Sequence, residues 1–339
     1  MRAIVFHGPF DARLEERQEP KPGQDSVIVD IVTVGICGTD VEMYEGRYPC
    51  KPSTIMGHEG SGVVSEIGAN VDGFRPGDRV IVDGGWACGN CRFCKAGLPA
   101  RCPNRVMLGS SVDGAFADRI AVPAKVLRRL PDAVAHEEAQ SVLPIASAIR
   151  ALRAAQITLG DRATVFGPGH AGLIFLQLLK LNGAADVTIV GTREPRLSLA
   201  RDLGADACIN LSNEDLDERA KEMTNGGGFD VAVEASGNPI ALTQAMSVVK
   251  TGGTILVFGV ASGPVPSFPL FDVYKKELRI IGSRGGAGGH DLALTYLASK
   301  RLKILPLVTH YFSLEQTIDG FKAARDKSAG MLRGVVKVK

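Results

Sequence analysis

The rhythm of apolar and polar positions along this 339-residue chain changes twice. The first part reads as β-rich. The apolar patch from Met1 to Phe6 predicts a first strand, Val27 to Val34 a buried strand, and Gly62 to Ile67 and Arg79 to Val82 two more, with turn signals such as Arg75-Pro76-Gly77-Asp78 between them. Near Glu137 the texture changes. From Ala163 to about Ser283, short apolar runs alternate with helical stretches. Strands are predicted at Ala163–Phe166, Val187–Val190, Ala207–Ile209, Val231–Glu234, Thr254–Phe258 and Leu278–Ile281. Helices are predicted over Ala171–Leu181, Pro195–Leu203 with proline at its start, and Asp215–Thr224. Such alternation implies an α/β fold: a doubly wound parallel sheet with helices on both faces. The last stretch reverts to a mixed pattern and is expected to return to the first domain. The expected division is therefore 1–149, 150–286 and 287–339, with a cysteine-rich lobe at 84–105. No internal repeat or low-complexity tract interrupts it.

Composition narrows the class. The chain is 45% apolar and 22% charged, with 39 Lys+Arg against 37 Asp+Glu. That balance opposes a nucleic-acid partner. No apolar run approaches the ~18 residues of a membrane span, and the N-terminal patch is too short for a signal peptide. Seven cysteines, four of them crowded together, read as metal ligation in a reducing, cytoplasmic setting rather than as disulfides.

Three motifs carry chemistry. Cys88-x2-Cys91-x2-Cys94-x7-Cys102 places four thiolates on one loop, as a closed structural Zn²⁺ site requires. An iron–sulfur cluster is the rival, but its bacterial run wants three residues before the last cysteine, not seven. Cys37-Gly38-Thr39-Asp40 followed by Gly57-His58-Glu59 offers a thiolate, an imidazole and a carboxylate, with Asp40 available to fix the His58 tautomer. Alone, this pair of segments equally suits a buried structural cluster. Gly167-Pro168-Gly169-His170-Ala171-Gly172 follows a strand and opens a helix, the context of a dinucleotide site. Where an NAD-binding strand ends in an acid, this chain has Gly191, followed by Thr192, Arg193 and Arg196. Loss of the acid and gain of two arginines point to NADP(H); the alternative is a lost acid and two solvent-exposed arginines. Cys50 and Cys208 have no evident partners and read as ordinary packing.

The frame Gly57-His58-Glu59-x2-Gly62-x5-Gly68-x2-Val71 resembles the zinc signature of the medium-chain zinc-containing alcohol dehydrogenase family. The segment Val34–Asp40 resembles that family's first ligand segment, and the four-cysteine loop sits where the family places its structural zinc lobe. Order and spacing are kept over nearly the whole chain, and the texture is nearer to the polyol, sugar and threonine dehydrogenases. The resemblance implies a GroES-like catalytic domain beside a Rossmann domain. It also implies hydride transfer between NADP(H) and a secondary alcohol or ketone of a polyol, sugar, aminocyclitol or hydroxy-amino acid. Cys37, His58 and Glu59 would surround a catalytic zinc acting as Lewis acid. Thr39 would take the alcohol proton, and subunits would pair as a homodimer or homotetramer.

The chain departs from the family at two places. Glu42 stands where the outer relay histidine is usual, so either a carboxylate carries the proton or Glu42 is a surface acid. Leu143 stands where the polyol branch places a zinc-associated Glu. Water, Gln140 or a substrate oxygen would then complete the shell, or zinc would bind weakly or not at all. Arg284 falls in a segment expected near the substrate. The competing functions are an NADPH-binding redox sensor or reductase without catalytic zinc, and a recognition module built on the four-cysteine loop.

Overall fold

The computed structural model describes residues 1–261, 263–326 and 330–339. The chain forms two units, one from Met1–Leu143 with His290–Lys339, the other from Pro144–Gly289. The divisions fall at 143/144 and 289/290, where the change of texture predicts 149/150 and 286/287. The helix Val142–Ala155 carries the chain from one unit into the next, with Pro144 in its first turn, where proline is tolerated, so the passage falls inside a continuous helix.

The first unit is built around the strand Ser26–Ile36. It pairs antiparallel with Gly60–Ile67, Arg119–Pro123 and the C-terminal strand Gly334–Lys337. Arg79–Val82 and Leu127–Arg129 extend the sheet on one side, and His310–Ser313 on the other. Val27, Val29 and Ile31 alternate along the central strand and join one core with Phe116, Phe321 and Val336. Phe321 comes from the helix Thr317–Arg325 and meets Phe116 edge-on, ring centroids 5.6 Å apart. The C-terminal segment thus supplies a strand and an aromatic anchor to this unit. A smaller sheet joins Arg2–Gly8, Asp11–Glu16 and Thr54–Ile55.

The second unit holds a six-stranded, wholly parallel sheet. Numbered within the unit, its strands are Arg162–Phe166, Asp186–Gly191, Ala207–Asn210, Phe229–Glu234, Val249–Val257 and Arg279–Gly282, in spatial order 3-2-1-4-5-6. That is the doubly wound arrangement the alternation implies. The helix His170–Leu181 buries Leu173 to Leu179 against the sheet, which accounts for its near-continuous apolar run. The fifth strand begins earlier than its apolar run. Val249 already pairs with Phe229, and the register then shifts before Thr254; Gly252, at φ +73°, lies in the exposed stretch between. The helix Pro239–Val248 has an Asn238 cap that accepts from the Ile240 N–H, a start signal that the apolar rhythm alone does not reveal. No helix among the described residues is long and apolar enough to cross a membrane.

Candidate functional site

In the first unit, Cys37 is the N-cap of the helix Gly38–Tyr44, and His58 and Glu59 lie just before the strand Gly60–Ile67. The ligand atoms of Cys37, His58 and Glu59 lie within 4.8 Å of one another. A tetrahedral zinc shell spaces its donors about 3.4–3.8 Å apart, so one ion can reach all three with small side-chain shifts. Asp40 is fully buried behind them. Its Oδ2 accepts from the Cys37 N–H at 2.9 Å, and its Oδ1 lies 3.1 Å from His58 Nδ1. Burial opposes a charge on His58, but Asp40 and the Cys37 sulfur outweigh it and hold the imidazole pKa well above its ordinary value. The pocket is set for positive charge at this point, and the donor set of sulfur, nitrogen and oxygen suits zinc.

Glu59 is held by Arg333, a residue the sequence motifs do not mark. Both side chains are buried, and Arg333 Nη2 pairs with Glu59 Oε2. Arg333 Nη1 donates to the Ile36 carbonyl at 2.9 Å and Nε to Gln140 Oε1 at 2.7 Å. The Gln140 amide nitrogen donates to the Glu137 carbonyl and to Ser141 Oγ. Gln140 is therefore engaged by Arg333 and by its own turn. Leu143 packs on Gly84: a Cβ there would sit 2.8 Å from Leu143 Cδ2 and 3.1 Å from the His58 carbonyl. An apolar side chain thus backs the His58 segment, and Leu143 offers no donor atom.

Thr39 is half-buried, with Oγ1 3.6 Å from Cys37 Sγ. Glu42, on the same helix, is gripped by Arg47 through Nε–Oε2 at 2.7 Å and Nη2–Oε1 at 2.8 Å. Those bonds hold its carboxyl below the usual carboxylate range. Arg47 also pairs with Glu45, which Arg325 meets at 3.0 Å. Glu42 is thus an ionised member of a surface ion-pair group.

The four-cysteine lobe is closed by the short paired strands Gly85–Trp86 and Val106–Met107. Sulfur–sulfur distances are 3.5 Å for Cys91–Cys94, 3.5 Å for Cys102–Cys88 and 4.0 Å for Cys88–Cys94. A disulfide needs about 2.0 Å, whereas the edge of a zinc–sulfur tetrahedron is about 3.8 Å. The Asn90 and Cys91 backbone N–H groups bring the Cys88 thiol down to about 6, while desolvation and the neighbouring sulfurs push Cys94 up to about 12. One thiol of the cluster thus favours the thiolate while another is held against it.

In the second unit, Gly167 has φ +99° and donates its N–H to the Val190 carbonyl at 2.9 Å. Gly169 caps the helix His170–Leu181. A Cβ on Gly172 would sit 2.0 Å from the Gly167 carbonyl oxygen, so helix and loop approach as only glycine allows. A helix N-terminus presented by such a loop favours a pyrophosphate. Glu234, unmarked in the sequence, sits beside it at the end of the fourth strand. It is buried and accepts from the Ser236 and Gly237 N–H groups at 2.7 and 2.9 Å. It shapes the turn against which Gly167 packs, since a Cβ on Gly167 would meet Ser236.

Gly191 ends the second strand, Thr192 is exposed, and Arg193 caps the helix Glu194–Asp202. Glu194 is bound by Arg201 and Asn210 instead, and no carboxylate among the described residues forms an ion pair with Arg193. Burial lowers the Arg196 pKa, and the like charge of Arg193 adds to the shift. The two guanidinium groups lie near enough for each charge to bear on the other. Arg284 is exposed, and its carbonyl accepts from Arg150.

Known proteins share this plan. The alcohol dehydrogenase GroES-like domain family matches residues 23–132, and the zinc-binding dehydrogenase family matches residues 171–298. A sorbitol dehydrogenase from Bacillus subtilis (strain 168) is 33% identical over 96% of this chain and 93% of its own. A zinc-binding dehydrogenase from Sinorhizobium meliloti 1021 bound to NADP superposes with a TM-score of 0.93 at 28% identity, covering 99% of each chain. A protein described as a short chain alcohol dehydrogenase from Escherichia coli CFT073, complexed with NADH, superposes at 0.92 and 29% identity, covering 100% of this chain and 99% of that one. With the ligand cluster, the cysteine lobe and the glycine loop in one order along one chain, the protein belongs to the medium-chain zinc-containing alcohol dehydrogenase family, in its polyol dehydrogenase branch.

Proposed function

We propose that this enzyme transfers hydride between NADP(H) and a secondary alcohol or ketone of a polyhydroxylated small molecule. The observation that carries the reading is the Cys37–His58–Glu59 cluster with Asp40 bonded behind it. Similarity to sorbitol dehydrogenases supports the polyol class. Zinc held by these three side chains would supply Lewis acidity toward the alcohol or carbonyl oxygen. Asp40 keeps the His58 proton on Nδ1, leaving Nε2 as the donor atom. Arg333 neutralises Glu59 and fixes its carboxylate. Thr39 Oγ1 would accept the alcohol proton as it releases its own hydroxyl proton towards solvent, so that it relays one proton without net charge. Glu42, ionised and held by Arg47, orders the surface end of that helix rather than cycling a proton. The four cysteines of the lobe would hold the second, structural zinc, and their reduced state suits the cytoplasm.

The structural neighbours include both NADP and NADH complexes, so the preference for NADP(H) rests on this chain's own Gly191, Arg193 and Arg196. The sixth strand, Arg279–Gly282, is an edge, with the exposed side chains of Leu270, Phe271 and Tyr274 on the preceding helix. An uncovered edge of this kind is a pairing surface, and we assign it to a homodimer or homotetramer.

The test is metal content per chain together with polyol oxidation by NADP⁺ and by NAD⁺. Two zincs and NADP⁺-dependent turnover are expected. One zinc without turnover would instead favour an NADPH-binding redox sensor, the reading that Leu143 supports.

A further inference from the structure

We infer that Pro168, the second residue of the glycine loop, sets cofactor choice by forbidding any side chain at residue 191. The inference rests on the NADP(H) reading above and names the device behind it.

Gly191 is buried, and its backbone lies outside the left-handed region, so conformation does not demand glycine there. Packing does. A Cβ at residue 191 would sit 2.6 Å from both Cγ and Cδ of Pro168 and 3.4 Å from Leu197 Cδ2. Carbon atoms in van der Waals contact stay about 3.5–4.0 Å apart.

Neither side can withdraw cheaply. Pro168 is buried, its ring is rigid, and the Gly167 N–H ties the loop to the Val190 carbonyl at 2.9 Å. Gly167 is backed against Ser236. On the other side, the Gly191 carbonyl accepts from the Leu211 N–H at 2.8 Å, and Gly191 pairs in register with Asn210. The loop and the strand end are locked together with room for a hydrogen and nothing larger.

An acid that reads a ribose 2′-hydroxyl stands at the end of this strand in dinucleotide folds. Here that place is closed to every side chain while residue 168 is proline. Recognition of the 2′ position is left to residues beyond the strand end, where Arg193 and Arg196 lie. An alanine side chain in place of Pro168 lacks the two ring atoms that close the site, so Pro168 acts through residue 191 and without itself contacting the 2′ group.

The experiment compares wild type, Gly191→Asp, Pro168→Ala and the double variant as zinc-loaded full-length proteins. Unfolding midpoints are measured, and NADPH and NADH affinities are read by fluorescence titration. Gly191→Asp alone should lower the midpoint by a few degrees and weaken both nucleotides by about tenfold or more. Adding Pro168→Ala should restore the midpoint and tighten NADH by about tenfold over Gly191→Asp alone, while NADPH stays weak. If Gly191→Asp fails to fold, Gly191→Ala made in wild type and in the Pro168→Ala variant gives the same comparison, with a loss expected only beside proline. Equal effects of the residue-191 change in both backgrounds would overturn the role of Pro168. A wild type that prefers NADH would overturn the NADP(H) reading instead, and leaves the 168–191 coupling to be judged on its own numbers.

Discussion

Asp40 Oδ1 lies 3.1 Å from His58 Nδ1, while Oδ2 of the same carboxylate accepts from the Cys37 N–H at 2.9 Å. One buried acid therefore fastens together two segments of chain that each bring a metal donor. Partners behind a ligand typically govern metal affinity by about ten- to a hundredfold. Asp40→Asn should lower zinc affinity at Cys37–His58–Glu59 by that factor and leave the cysteine lobe loaded. Chelator competition followed by metal analysis would read this as loss of one zinc ahead of the other. Simultaneous loss of both, or of neither, would count against the role of Asp40.

The Arg333–Glu59 pair is buried on both sides, with side-chain exposures of 5% and 3%. Removing one partner of such a pair leaves an uncompensated charge and costs about 3–5 kcal/mol. Arg333→Met should therefore destabilise the protein by that amount in urea, and Glu59→Gln combined with it should recover part of the loss. A single variant within about 1 kcal/mol of wild type would show that Glu59 does not depend on Arg333.

How far the site was legible follows from these contacts. The cysteine lobe and the glycine loop announce themselves because their geometry is local: spacing alone brings the groups together. The strand Arg79–Val82 has the bounds its apolar run predicts. Arg333 has no such signature. It meets Glu59 across 274 residues of sequence, through a C-terminal strand whose pairing with Ser26–Ile36 is a tertiary event. Gln140 looked like a spare donor because sequence shows a side chain but not its partner. Gly191 could be seen as a missing acid, yet its packing reason, Pro168, becomes visible only when loop and strand end are side by side.

In the cysteine lobe, Cys94→Ser should act on folding before it acts on chemistry. A structural metal contributes folding free energy directly, since the unfolded chain has no preformed site. The expected result is a drop of several degrees in the unfolding midpoint with one zinc missing, and near-normal turnover in whatever remains folded. Unchanged stability in a protein shown to lack that zinc would mean the lobe does not need it.

Cofactor choice gives the last test. Arg193 caps the helix after the second strand and has no ion-pair partner among the described residues, and Arg196 lies one turn on under the pressure of its charge. A charge-assisted bond from arginine to phosphate contributes roughly 1.5–3 kcal/mol. Losing one should weaken NADP(H) by about tenfold to a hundredfold. NAD(H) has no phosphate at that position and should be affected within about twofold, because surface substitutions away from a contact change little. Arg193→Ala should thus raise the Michaelis constant for NADP⁺ while kcat at saturation stays near wild type, the pattern of lost ground-state binding. Arg193→Lys should fall between, keeping charge without the planar fork. If NADP⁺ and NAD⁺ constants rise together, Arg193 supports the fold of the loop and does not read the phosphate.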